Sequence, residues 1–293
     1  MSIRTHGMAR VRVQDVVMGM LNGSVSSQAT RPHTGFAFLD EPRSVLAFAH
    51  RGGSFHPELE GLENTLAAFQ HAVDLGYRYL ETDVHTTRDG VLLAFHDTML
   101  DRATDHSGEV ATMSYADVQA ALIGGRETVP TLAGLFEAFP DARFNIDIKA
   151  PGAVRPLADF IAARHCEDRV LVGSFSGRHL RAFRRLTGGR VATSAHPLEV
   201  LAFFLSPGGR VADLLTRGRV AALQVPHRRG RLRVVSRRLV ANAHAAGKHV
   251  HVWTVDDPAE MEELLARGVD GLMTDRTDIL KDVLSAHGLW EAP

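Results

Sequence analysis

The sequence predicts an α/β fold: a (β/α)8 TIM-type barrel with a small insertion after its second strand. Three observations predict it. From Val45 onward, short β-rich runs alternate with helical patterns, as expected of parallel strands joined by crossover helices. Nine runs read as strands, and one of them fits better as a hairpin return, which leaves eight. Polar residues with catalytic chemistry gather at the carboxyl ends of those runs, where barrels of this type carry their active sites.

The strand runs are Val45–Ala49, Tyr79–His85, Val91–Phe95, Phe144–Lys149, Val170–Ser174, Val191–Ser194, Ala221–Val225, His249–Val255 and Gly271–Thr274. Val91–Phe95 follows Tyr79–His85 after only Thr86-Thr87-Arg88-Asp89-Gly90. A parallel crossover needs about a dozen residues, whereas Asp-Gly is a strong hairpin turn. The run is therefore expected to turn back and to open an insertion over about 86–140. The competing count keeps it in the barrel and makes Gly271–Thr274 the extra. Helices are expected over Asn64–Leu75, Val154–His165, Gly177–Leu186, Arg237–Ala246, Pro258–Ala266 and Asp278–His287. Asp256-Asp257 before Pro258 is favourable chemistry for a helix start.

The chain of 293 residues suits one such barrel over 43–293. Residues 1–42 read as a weakly structured leader. Its run Val16–Leu21 is short for a signal sequence, and Met8 and Met20 offer alternative starts. Hydrophobic residues at 45% and charged residues at 23% are ordinary for a globular protein, and the net charge of -1 gives no global reason to expect nucleic acid. A lone cysteine, Cys166, excludes an intramolecular disulfide and fits a cytoplasmic setting. The longest apolar stretch, Leu198–Leu205, is too short to span a bilayer and is broken by Glu199. Two stretches, Arg178–Arg190 and Arg217–Arg238, are rich in arginine. They read as a solvated face, or as attraction to the anionic head groups of a membrane or to a polyanionic substrate.

The strand-end residues divide by chemistry. Glu81 and Asp83 share one face of their strand, and Asp147 and Lys149 share one face of another. Three carboxylates converging on one mouth call for a cation, and oxygen-only ligands suit one divalent ion, Ca²⁺ or Mg²⁺. Salt bridging of each acid to a barrel arginine is the plainer alternative. His50 and His96 each end a strand and precede a charged residue. Two imidazoles can divide the proton transfers of phosphodiester cleavage, while Arg51 and Lys149 hold the phosphate.

The ordered set His50-Arg51-Gly52, Glu63-Asn64-Thr65, Leu80-Glu81-Thr82-Asp83-Val84, Asp89-Gly90, Phe95-His96-Asp97, Asn145-Ile146-Asp147-Ile148-Lys149, Val252-Trp253-Thr254-Val255 and Thr274-Asp275 resembles the glycerophosphodiester phosphodiesterase family. The resemblance spans about residues 43–290. It implies the insertion after the second strand, a divalent metal on Glu81, Asp83 and Asp147, and His50 and His96 as acid and base. It implies attack by the substrate's own glycerol hydroxyl, giving a cyclic phosphate that water opens to glycerol 3-phosphate, with Trp253 packed on the glycerol carbons. Many members carry Glu where this chain has Asp147, one methylene shorter. Glu63 and Asn64 are expected to bind substrate, to support Arg51, or to cap a helix; Gln224 is a further lining candidate.

Three other readings compete. A phospholipase D-like phosphodiesterase would act on lysophospholipid or sphingolipid, with the arginine stretches and Leu198–Leu205 as its motive. A non-catalytic barrel would bind a phosphorylated ligand. A zinc hydrolase would use His85, His96 and His251.

Overall fold

In the computed structural model, which describes residues 32–40 and 45–290, thirteen strands and ten α-helices occur. The strands are β1 (Leu46–His50), β2 (Tyr79–Thr86), β3 (Leu92–Ala94), β4 (Leu122–Ile123), β5 (Glu127–Thr128), β6 (Arg143–Ile148), β7 (Val170–Gly173), β8 (Ala192–Thr193), β9 (Ala222–Pro226), β10 (Arg228–Arg229), β11 (Leu232–Arg233), β12 (His249–Trp253) and β13 (Gly271–Thr274). The helices are α1 (Leu66–Asp74), α2 (Tyr115–Gln119), α3 (Leu132–Ala138), α4 (Val154–Arg164), α5 (Gly177–Leu186), α6 (Pro197–Leu205), α7 (Gly209–Leu215), α8 (Arg237–Ala245), α9 (Pro258–Leu265) and α10 (Thr277–Ala286).

Eight parallel strands run in the order β8-β7-β6-β2-β1-β13-β12-β9. The ring closes where Ser194 bridges Ala222 in parallel, with Ala221 N–H donating to the Thr193 carbonyl at 2.9 Å and Ala195 N–H to the Ala222 carbonyl at 2.9 Å. This is the expected (β/α)8 barrel. The ninth run, β3, pairs antiparallel with β2, Val84 opposite Ala94 and His85 opposite Leu93, so the hairpin count holds and β13 is a barrel strand. Segment 93–129 carries its own apolar cluster around Leu93, Phe95, Leu100, Val118 and Ile123. Leu132, Leu135 and Phe136 of α3 pack instead into the barrel's outer core.

Strand alternation builds two cores. Ala49, Leu80, Phe144, Ile146, Val172 and Leu272 face outward against the helices. Leu46, Phe48, Tyr79, Leu171, Ala222 and Met273 face inward and form the barrel floor. Residues 32–40 fall within the stretch read as a weakly structured leader, yet Phe38 and Leu39 are fully buried against that floor. The ring of Phe38 meets Tyr79 edge-on at 5.3 Å, and the Tyr79 hydroxyl donates to the Phe38 carbonyl. The rest of the expected leader lies outside the described residues.

Helix boundaries follow local chemistry. The first helix begins at Leu66 rather than Asn64, because Asn64 takes a left-handed φ of 59° and Thr65 caps the helix by accepting from Ala68 N–H. Leu198–Leu205, read only as an apolar stretch, is the helix α6, started by Pro197 and a capping box between His196 and Glu199.

Candidate active site

Following each inward ladder up its strand leads from the apolar floor to a polar mouth. In β1 the series is Phe48, His50. In β2 it is Tyr79, Glu81, Asp83, and in β6 it is Asn145, Asp147, Lys149. Register fixes their heights: His50 lies opposite Glu81, Glu81 opposite Asn145, and Asp83 opposite Asp147. One cavity of about 950 Å³ is lined by His50, Arg51, Glu81, Asp83, His96, Asp147, Lys149 and Trp253. Eight of the ten residues expected from the sequence to have a catalytic, substrate-binding or metal role therefore meet in one place.

The other two, Glu63 and Asn64, do not line that cavity but touch residues that do. Asn64 is buried, donates to Asp83 Oδ2 at 3.2 Å and accepts from the Thr82 hydroxyl at 2.7 Å. Glu63 pairs with Arg51 at 3.3 Å and with Arg102 of the insertion. Gln224 does reach the cavity and donates to Asn145 Oδ1 at 3.0 Å. The helix cap in this region is Thr65.

The turn after β1 is shaped by sterics. Arg51 adopts φ 48°, and Gly52 and Gly53 follow at 88° and 87°. A Cβ on Gly52 would meet Ala68 Cβ at 2.7 Å, and one on Gly53 would meet Thr277 Cγ2 at 2.5 Å. Only glycine fits both the conformation and the space. The turn delivers Arg51 over the second strand, where its Nε lies 3.1 Å from Asp83 Oδ2, an ion pair without the alignment of a hydrogen bond.

Each histidine is backed by a carboxylate. His50 Nδ1 lies 2.9 Å from Asp275 Oδ1, and its Nε2 is 3.8 Å from Glu81. Burial opposes a charge on this ring, but Glu81 and Asp275 outweigh it and raise His50 to about 9. His96 Nδ1 lies 2.5 Å from Asp97 Oδ1, and Arg102 ties that same Asp97 to Glu63. Asp275 and Arg102 were not among the residues picked out as site candidates. Asp275 was legible in principle, because first and last strands are neighbours in a closed barrel and it directly follows the last strand, as His50 ends the first.

The acids lie close enough to act on one another's charge. Burial, and then the charge of Asp83, push Glu81 up to about 7. Burial opposes ionisation of Asp83 too, but Lys149 and Arg51 outweigh it and hold this carboxyl below its usual range. The Lys149 ammonium sits 2.9 Å from Asp83 and 2.7 Å from Asp147, and its pKa is raised by them against the effect of burial. The oxygen-only set Glu81, Asp83, Asp147 is of the kind that holds a hard divalent ion. Glu81 supplies the carboxylate whose charge is least compensated, while Asp83 and Asp147 already share Lys149. Among the described residues, the group of three metal-ligating side chains whose ligand atoms all lie within 4.8 Å of one another is a mixed one, His56, Glu58 and His71, outside the cavity.

His85 and His251 do not line the cavity. His85 Nε2 is 3.1 Å from the His96 carbonyl, and His251 Nδ1 is 3.3 Å from the Gln224 amide. A zinc site on His85, His96 and His251 therefore finds no support in this arrangement.

Comparison with known proteins agrees with the geometry. The model of the glycerophosphoryl diester phosphodiesterase family matches residues 50–279. A Mycobacterium tuberculosis protein named "probable glycerophosphodiester phosphodiesterase 2" is 43% identical over 84% of this chain and 93% of its own. A human lysophospholipase D is 26% identical over 80% of this chain and 85% of its own. Among solved structures, an Oleispira antarctica phosphodiesterase in complex with the product sn-glycerol-3-phosphate superposes with a TM-score of 0.66 at 23% identity, covering 82% of this chain and 96% of that one. A glycerophosphodiester phosphodiesterase of Agrobacterium tumefaciens superposes at 0.63, with 24% identity over 80% and 98%. The chain belongs to the glycerophosphoryl diester phosphodiesterase family and is a phosphoric diester hydrolase.

Proposed function

We propose that the chain hydrolyses glycerophosphodiesters to an alcohol and glycerol 3-phosphate by two-histidine acid–base catalysis that depends on one divalent cation, Ca²⁺ or Mg²⁺. The observation that carries this reading is the pair of histidine–carboxylate contacts on one cavity, His50 with Asp275 and His96 with Asp97. A carboxylate on Nδ1 keeps the proton there and presents Nε2 to the reacting atoms. One ring takes the proton of the attacking hydroxyl, and the other delivers a proton to the departing alkoxide. When water opens the cyclic phosphate, the two rings exchange these roles. Arg51 and Lys149 bind the phosphate oxygens, and Trp253 offers an apolar face to the glycerol carbons. Glu81, Asp83 and Asp147 would hold the ion, which supplies charge neutralisation at the phosphoryl group.

The test is product analysis on glycerophosphocholine with His50→Ala and His96→Ala. Each is expected to lose at least about 10²-fold in kcat with an unchanged circular dichroism spectrum. Turnover near the parent rate in either variant would remove that histidine from the pair.

A second reading, phospholipase D-like cleavage of lysophospholipid, is favoured by the cavity itself. At about 950 Å³ it lies near the top of the roughly 300–1,000 Å³ range of ligand sites. It continues past the polar mouth between Val200, Leu201, Phe204 and Leu205 of α6, a wall with no use for a water-soluble head group. Hydrolysis of lysophosphatidylcholine, compared with glycerophosphocholine, decides between the two substrates.

A further inference from the structure

The apolar side of the cavity reaches the protein surface. Phe175, Leu201, Leu205 and Leu232 line it and are 63%, 47%, 67% and 53% exposed. Single exposed apolar side chains are normal, but four around one opening make a patch that calls for an occupant. Leu201 and Leu205 stand one helical turn apart on α6, so they share a face. Leu232 comes from the β10–β11 hairpin, whose sequence Arg228-Arg229-Gly230-Arg231-Leu232-Arg233 sets four arginines around one leucine. Arg228 and Arg233 pair with Glu263 at 3.6 and 3.3 Å. Among the described residues, no ion pair engages Arg229 or Arg231, and Arg229 lines the cavity. No helix among the described residues is long and apolar enough to cross a membrane.

We propose that this rim docks the protein onto an anionic lipid surface, with Leu201, Leu205, Leu232 and Phe175 entering the acyl boundary and the hairpin arginines meeting the head groups. An interfacial site needs both parts: apolar area for depth and cations for attraction to acidic lipid. Docked this way, the cavity mouth opens onto the bilayer. A lysophospholipid then passes its phosphodiester toward His50 and His96 while its chain stays against α6. The docking deepens the lysophospholipid reading but does not need turnover, so the two can fail separately.

The experiment is flotation of the full chain with vesicles of phosphatidylcholine alone and of equal parts phosphatidylcholine and phosphatidylglycerol. The parent protein is expected to float with the mixed vesicles, less so as salt rises. Arg228→Gln with Arg231→Gln should weaken this partitioning about fivefold for each arginine removed, with glycerophosphocholine turnover in solution at the parent rate. Leu205→Ser with Leu232→Ser should weaken binding to either vesicle. A parent chain that stays in the soluble fraction with mixed vesicles overturns the proposal, as do rim variants that float like the parent. If the leucine variants instead dissociate a dimer while the parent ignores lipid, the rim is an interface between copies and the proposal fails. Docking as expected without lysophospholipid hydrolysis would leave the proposal standing and remove that substrate.

Discussion

His50 and Asp275 meet at 2.9 Å across 225 residues of sequence, because the first and last strands of the barrel are neighbours. Asp275 is itself fixed: its backbone N–H donates to Asp256 Oδ1 at 2.8 Å, and Asp256 also accepts from the Thr274 hydroxyl. The closing strand of the barrel thus brings the carboxylate that orients the His50 ring.

Asp275→Ala removes both the hydrogen bond and the negative charge behind His50. On the acid–base reading, kcat falls about 10²-fold while KM changes little, since the residue does not line the cavity. The pH profile separates this from simple misfolding. Asp275 is one of the two carboxylates that raise His50, so the limb belonging to this ring should move to lower pH. A profile with unmoved limbs would show that Asp275 does not act through His50.

Much of the site is legible in the sequence, and the reason is strand geometry. Alternation puts Glu81 beside Asp83, and Asp147 beside Lys149, on one face, and barrel closure brings those faces together. What stayed hidden depends on angles and on partners distant in sequence. Glu63 and Asn64 were expected to bind substrate, to support Arg51 or to cap a helix, and Glu63 does pair with Arg51. In space, the left-handed turn at Asn64 sends its amide to Asp83, while Glu63 meets Arg102 from the insertion. Helix α7 was missed because it is short and carries Gly209 at its start. That glycine is forced by packing: a Cβ there would lie 1.9 Å from the Asn242 carbonyl oxygen.

Phe38 gives the plainest departure from the sequence reading. It lies in the stretch taken as leader, where the run Phe36-Ala37-Phe38-Leu39 is too short to carry a periodic signal. In the fold it is fully buried beneath the barrel beside Leu39, Phe48 and Tyr79. Phe38→Ala should cost about 3–5 kcal/mol by leaving a cavity under the floor. Urea unfolding reads this as a lower midpoint. A midpoint within error of the parent would mean that residues 32–40 do not seal the barrel in solution.

Asp270 sets an acid limit on stability. Burial opposes its charge, but the bonds from His244 Nε2 at 2.8 Å and Val250 N–H at 2.8 Å outweigh burial and hold the carboxyl below its usual range. A depressed folded pKa means that the stabilisation is fully present above the unfolded value of about 3.9. It is lost as pH falls through the lower, folded value. Asp270→Asn should lower the melting temperature near neutrality, by an amount equivalent to about 2 kcal/mol. The gap to the parent should then narrow as pH drops below about 4. A constant gap across that acid range would show that the loss is one of shape rather than charge.

Glu81 is where the metal reading is most exposed. Its carboxyl is buried, is pushed up to about 7 by burial and by Asp83, and has His50 as the nearest cation at 3.8 Å. An ion bound there would relieve that repulsion, so binding should favour the ionised form and stabilise the fold. Chelator should therefore lower both turnover and melting temperature, and Ca²⁺ or Mg²⁺ should restore both. Occupancy at 100 times the dissociation constant is worth about 2.7 kcal/mol. Glu81→Gln removes a ligand charge while keeping the shape, so its melting temperature should respond little to added ion. The same substitution also removes the Asp83–Glu81 repulsion, so the metal-free variant should melt no lower than the metal-free parent. Full turnover of the parent in chelator, or an ion response in Glu81→Gln equal to the parent's, would place the cation elsewhere or dispense with it.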